Sequence, residues 1–367
     1  MRYDEAGDLD NPGEPEGGRR SLVPLVKKKA PSVSNETECM PKENEVDQEM
    51  LGAAAENESG QAPSKRSAVK RAFAEDGANK THVGGQALIE GVMMRGPHKV
   101  AVAVRQPDGE IAVDVNPVNS IRDKYPVLKK PLLRGVIALF ESLYDGIKAL
   151  AYSAQVSGEE DEQLTGKEMA MTIGTSVLLA VGLFIVIPTW SMRFLHELTE
   201  NPMMLNLAEG VLRMVIFLAY IAAISSMEDI QRVFQYHGAE HKTIYTYEAG
   251  LPLRVENVRP FSTLHPRCGT NFLMIVMLIS MFIFTFLGWP SLLERIASRV
   301  VLMPVIAGVS YEIIRFAGAH NDNKLVHMAI MPELLLQKLT TSQPDDSQIE
   351  VAIASLKAVL PPEEIIE

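Results

Sequence analysis

The chain has 367 residues, of which 47% are hydrophobic and 22% charged, and a formal net charge of −11. That acidity excludes a generally basic nucleic-acid binder, so no nucleic-acid partner is expected. Two cysteines, Cys39 and Cys268, are too few for a disulfide framework or a four-cysteine zinc site.

Residues 1–80 hold 12 Lys and Arg against 16 Asp and Glu, are rich in Pro, Gly, Asn and Ser, and show no sustained periodicity. They read as a disordered acidic tail, with a short helix near Lys65–Ala74. The acidic N-terminus lacks an apolar core of roughly 7–15 residues, so no secretory leader is expected and insertion begins internally. Residues 81–130 read as a small antiparallel β element: VGGQALIEGVMMR (83–95), KVAVAVRQ (99–106), a Pro107-Asp108-Gly109 turn and EIAVDVNPV (110–118).

Residues 131–165 hold an amphipathic helix and an acidic linker, Gly158–Glu162. Pro131 suits the helix start, and Arg134, Glu141, Asp145 and Lys148 interrupt its apolar residues. The helix is expected in the membrane interface or against the sheet.

The region 166–317 carries four candidate spans, which makes the lipid bilayer the first expected partner. Met169–Trp190 is free of charge and long enough to cross a hydrocarbon core of about 20 apolar residues. Leu205–Met227 contains Glu209 and Arg213, four apart and read as an ion pair reaching for the interface. Thr270–Trp289 is again free of charge, whereas Arg299–Phe316 is interrupted by Glu312 and Pro304 and is the least regular. Lys and Arg crowd the loop 228–268 and are sparse in 191–203 and 290–298. The positive-inside bias then places that loop and both termini in the cytoplasm, as in a multi-pass protein of the bacterial inner membrane. Intramembrane charges near a span end, and no visible repeat, argue against a transporter. In the cytosolic segment 318–367, Asp345 or Asp346 caps a helix that Pro361 stops, with Ile349, Ile353, Leu356 and Leu360 on one docking face. The expected fold is therefore a mainly α integral membrane protein with three or four transmembrane helices, a small cytosolic antiparallel β element and a disordered tail.

The strongest chemical signal is His237-Gly238-Ala239-Glu240-His241. On a helix the two histidines stand on one face and can grip one metal ion. Glu240 beside them can take a proton from water, the H-x-x-E-H order of inverted zinc proteases. A third ligand is needed, and Glu312, His265 and Cys268 are the candidates. The His265-Pro266-Arg267-Cys268 run also reads as a turn cap before a span. In GGQALIEGVMMRGP, Gly84, Gly85 and Gly91 permit close backbone approach, while Glu90 or Gln86 is a candidate site residue unless Glu90 and Arg95 satisfy each other.

GGQALIEGVMMRGP (84–97), FQYHGAEHKTIYTYEAGLPL (234–253), NVRPFSTLHPRCGTNF (257–272), SYEIIRFA (310–317) and the tail PDDSQIEVAIASLKAVL (344–360) resemble the YqhQ-like family of bacterial membrane proteins of unknown function. The resemblance spans about 82–361 and implies an integral membrane protein with a predicted metal-dependent activity. It carries His237, Glu240, His241, His265, Cys268, Glu312 and Glu90 as candidate site residues.

Two functions follow. One is a metal-dependent hydrolase at the cytoplasmic membrane face, with zinc on His237 and His241, completed by Glu312 or His265/Cys268. Glu240 is its general base, and a peptide or membrane protein its substrate. The other is a non-enzymatic membrane scaffold or regulator, in which a closed metal site or polar cluster holds loop to helix.

Overall fold

The structure is a computed structural model that describes residues 83–365, apart from 159–165, Arg267 and 320–323. The tail 1–80, its short helix and most of the acidic linker lie outside the described residues.

Four strands, β1 (Gly84–Leu88), β2 (Gly91–Arg95), β3 (Lys99–Arg105) and β4 (Ile111–Pro117), form an antiparallel meander in chain order. The register pairs Val92 with Ala103, Met93 with Val102 and Met94 with Ala101. Side chains alternate across a sheet, so Val92, Met94, Ala101 and Ala103 face one side and Met93, Val102 and Val104 the other. Both sides are covered, which is why VMM and VAVAV read as unbroken apolar runs.

The helices are α1 (Leu133–Ser157), α2 (Gly166–His196, with a π-turn at Gly182–Val186), α3 (Pro202–Ile224), α4 (Glu228–Glu248), α5 (Thr270–Thr285), α6 (Leu292–Ala319), α7 (Lys324–Thr340) and α8 (Asp346–Val359). Tyr236, Ala239 and Ile244 of α4 and Ile349, Ala352, Leu356 and Val359 of α8 pack on the alanine side of the sheet. The small alanines let α8 approach until Ser355 Oγ donates to the Ala101 carbonyl at 3.2 Å. On the valine side, Ala149, Tyr152 and Val156 of α1 close the second layer. Asp345 caps α8 in a capping box with Gln348, and α8 ends at Val359, before Pro361.

Three helices are long and apolar enough to cross a membrane: Gly166–His196, Pro202–Ile224 and Leu292–Ala317. This reorders the sequence expectation. The uncharged run 270–289 yields a helix of 16 residues, about 24 Å at 1.5 Å per residue, against roughly 30 Å of hydrocarbon. The run extends past the helix because Phe286–Pro290 turn toward α6. The irregular fourth segment is the longer one, since α6 starts at Leu292 and takes Arg295 and Arg299 into its interior face.

Glu209 and Arg213 correct the snorkelling expectation. Glu209 is 1% exposed and is bonded by Thr189 Oγ1 at 2.8 Å, by Arg213 Nη2 at 2.9 Å and by the Arg299 guanidinium. These groups come from α2, α3 and α6, so the pair is interior to the helices. Where the sheet meets them, α1 crosses α6 at Gly135 and Gly308, whose lack of side chains allows backbone approach.

Candidate metal centre

The α4 helix delivers His237 and His241 one turn apart, with ring centroids at 4.4 Å. Cys268 joins them from the turn before α5. His237, His241 and Cys268 each bring one ligand atom, and these three atoms lie within 4.8 Å of one another. All three residues are buried.

Backbone carbonyls orient both imidazoles. His237 Nδ1 lies 2.8 Å from the Thr340 carbonyl and His241 Nδ1 lies 2.6 Å from the Thr263 carbonyl. A carbonyl only accepts, so each Nδ1 donates and Nε2 is the ring atom turned toward the cluster. His237 Nε2 meets Cys268 Sγ at 3.2 Å. His241 Nε2 is buried with no hydrogen-bond partner, and so is Glu240 Oε2.

Gly85 of β1 completes the support. Its backbone N–H donates to the Glu240 carboxylate, and an added Cβ would lie 2.7 Å from Glu240 Cδ. Gly238 plays a similar part on α4, where an added Cβ would lie 2.0 Å from the Ser342 carbonyl oxygen. The glycine that weakens a helix in isolation here admits the chain segment that carries Thr340.

The electrostatics follow from burial. Burial pushes the Glu240 carboxyl up to about 7. Burial, with His237 adding to it, pushes the His241 imidazole down to about 3. Burial also opposes charge on His237, but Cys268 beside it, Glu240 and the Thr340 carbonyl outweigh it and hold its pKa up at about 9. His241 is thus neutral at pH 7, while His237 carries a proton that a bound cation would displace. Two imidazole nitrogens and a sulfur could hold a metal ion, which would satisfy the orphaned His241 nitrogen.

The other sequence candidates are placed elsewhere. His265 lies beyond the trio, its ring 5.5 Å from that of His241 and 4.5 Å from that of Tyr245, with Nε2 3.7 Å from Glu248 Oε2. Gln337 holds the His265 backbone, accepting from its N–H and donating to its carbonyl, each at 2.8 Å. Glu312 is not in the cluster: Arg134 of α1 takes both its carboxylate oxygens. Glu90 is not there either. It occupies the β1–β2 turn at φ 50°, where Arg232 takes both oxygens and Tyr236 Oη donates to one at 3.2 Å. Glu90 and Arg95 do not pair, since Arg95 bonds to Asp145 of α1. Sequence reasoning missed Thr340, Thr263 and Gln337; the first two act through the backbone and leave no side-chain signature.

Residues 130–362 match a family described as protein of unknown function (DUF1385), and the chain belongs to that family. The match includes all three ligand candidates and agrees with the resemblance carried by the sequence blocks. The chain is also similar to the uncharacterized protein YqhQ of Bacillus subtilis (strain 168), at 36% identity over 296 residues, 76% of this chain and 92% of that protein. No solved structure matches it.

Proposed function

We propose that this chain is a multi-pass membrane protein that holds a divalent metal, zinc by donor chemistry, on His237, His241 and Cys268, and uses it for hydrolysis. Three apolar helices of spanning length support the membrane assignment. The positive-inside bias puts α4, the sheet and α8 on the cytoplasmic side. A peptide or membrane protein is the proposed substrate, by analogy with the H-x-x-E-H order.

The observation that carries the reading is one pair of orphaned atoms. His241 Nε2 and Glu240 Oε2 are both buried without a hydrogen-bond partner, on adjacent residues of one helix. Leaving a buried polar atom unpaired costs about 1–3 kcal/mol, so each of the two calls for a partner, and an ion on His241 with a water at Glu240 would supply both. The metal, when bound, supplies a Lewis acid. Glu240, oriented by the Gly85 N–H and with its pKa near 7, is placed to accept a proton from an attacking water and return it to the leaving group. Three protein donors would leave a metal held there one position for water, as a catalytic zinc site requires.

The test is metal content by mass spectrometry on chelator-free, detergent-purified protein, joined to cleavage of fluorescently labelled casein. Wild type is expected to hold one metal per chain, His241→Ala to lose it, and Glu240→Gln to keep it while losing cleavage. Metal-free wild type overturns the centre. Near-complete burial of the ligands favours a second reading, a structural metal site in a scaffold or regulator. Metal retained with no Glu240-dependent cleavage would select it.

A further inference from the structure

A second polar cluster lies among the apolar helices, and its charges do not balance. Glu209 is the carboxylate bonded to it among the described residues, and Thr189, Arg213 and Arg299 already occupy its oxygens. Arg213 spends its Nε on the Phe184 carbonyl, at 2.8 Å. Arg295 stands four residues before Arg299 on the same face of α6 and is 9% exposed, yet its Nε and Nη1 have no hydrogen-bond partner. The nearby Glu294 is turned to Ser291, accepting from its backbone N–H at 3.0 Å and its hydroxyl at 2.8 Å. Two guanidinium groups therefore take up the one carboxylate, and the third, Arg295, is left without an anion. A buried cation without a hydrogen-bonding anion is costly in a low-dielectric setting, and such an arrangement points to an anion that answers it.

The position narrows the anion. The α3 helix runs from Pro202 to Ile224 and hands over to α4, so Glu209 lies near the end away from the His cluster. Arg295 lies in the first turn of α6, and Asn206 of α3 donates to the Leu287 carbonyl at 2.7 Å, joining the same ends. The Arg295 guanidinium stacks on Trp289 at 3.8 Å, and the Trp289 ring stacks in turn on His196. A tryptophan at a helix end is the residue that sits at headgroup depth. Leu293, Val300 and Val301 flank the arginines on α6 and are exposed apolar surface, so acyl chains would surround the site.

We infer that Arg295, stacked on Trp289 and backed by Arg299, binds the phosphate of an anionic lipid headgroup at the membrane end away from the His cluster. The inference rests on the proposal that these helices span a membrane. A guanidinium offers phosphate two parallel donors, and inorganic phosphate carries the same chemistry, so the test separates the two sources.

Full-length protein in detergent is titrated with phosphatidylglycerol, with zwitterionic phosphatidylcholine and with inorganic phosphate, and binding is read by native mass spectrometry. Wild type should retain phosphatidylglycerol over phosphatidylcholine. Arg295→Gln should weaken that binding by about tenfold or more, the scale of a lost charged hydrogen bond. Arg193→Gln removes an exposed arginine stacked on Trp190 and should leave binding unchanged. Equal lipid binding by wild type and Arg295→Gln overturns the site, and so does equal loss in Arg193→Gln. Arg295-dependent binding of inorganic phosphate without lipid overturns the lipid source. If Arg295→Gln does not fold, the wild-type melting temperature decides: phosphatidylglycerol must raise it above the phosphatidylcholine value, and equal values overturn the proposal. Extraction of wild type without detergent would overturn the membrane assignment itself. Metal content, unchanged in Arg295→Gln, reports on the His cluster separately.

Discussion

At Gly238 an added Cβ would lie 2.0 Å from the Ser342 carbonyl oxygen, a backbone atom that cannot swing aside. Ser342 is itself fixed to α4 by its N–H, which donates to the Phe234 carbonyl at 2.9 Å. Two residues earlier, the Thr340 carbonyl accepts from His237 Nδ1. Gly238→Ala should therefore push 340–342 off the helix and release the His237 ring while leaving every ligand in the sequence. Losing an orienting partner of a ligating histidine costs roughly 10–100-fold in metal affinity. Equilibrium dialysis of Gly238→Ala against metal buffers should show a loss of that size, and wild-type affinity would sink the claim that Thr340 orients the ring. The spacing of His237, Glu240 and His241 was legible from helix periodicity alone, and Cys268 stood among three candidates for the third ligand. Glu312 and Glu90 misled because their partners, Arg134 and Arg232, are far away in sequence, and a carboxylate does not announce which arginine will take it.

The α2 helix shows how an element tolerates a residue that should break it. Pro188 has no N–H to give the Phe184 carbonyl four residues back, and α2 widens there into a π-turn. Arg213 Nε of α3 donates to that carbonyl instead, so the proline creates an acceptor that joins two helices. Glu209 then draws Arg213, Arg299 and Thr189 together, joining α2, α3 and α6. Glu209→Leu should leave two buried guanidinium groups without their carboxylate and destabilise the bundle by about 3 kcal/mol, as breaking a buried pair does. Glu209→Leu combined with Arg299→Leu should recover part of that loss. Detergent-phase thermal melting checks both, and a single variant as stable as wild type would show that the network does not hold the helices. This network also explains why counting uncharged residues misjudged the spans. Arg299 inside α6 is answered by α2 and α3, so a helix interrupted by charge in sequence is long in structure, whereas the cleaner run 270–289 gives a shorter helix. The hairpin at Pro107-Asp108-Gly109 and the Asp345 cap were legible because their signals are local; the two-sided burial of the sheet was not, because one cover, α1, follows it closely and the other, α8, comes from the far end of the chain.

At the scale of the whole chain, the His cluster is where distant segments meet. It draws two candidate ligands from α4, one from the turn before α5, a carbonyl from the end of α7 and, through Glu240, an N–H from β1. The sheet with α4 and α8 is thereby joined to α5 and α7, which also touch α3 through Phe217, Met274 and Leu336. An ion bound at that junction favours the folded arrangement over any state in which the segments separate. At a free concentration 100 times its dissociation constant, an ion specific for the folded state adds about 2.7 kcal/mol. For a chain of this size that corresponds to a rise in melting temperature of about 4 °C. Dialysis against a chelator should lower the melting temperature of wild type by that amount, and returning zinc should restore it. His241→Ala should melt near the chelated value and respond to neither treatment, because the orphaned nitrogen that calls for the ion is gone. A chelator-sensitive His241→Ala would move the stabilising ion to some other site, and a chelator-insensitive wild type that still contains metal would mean the ion does not hold the junction together.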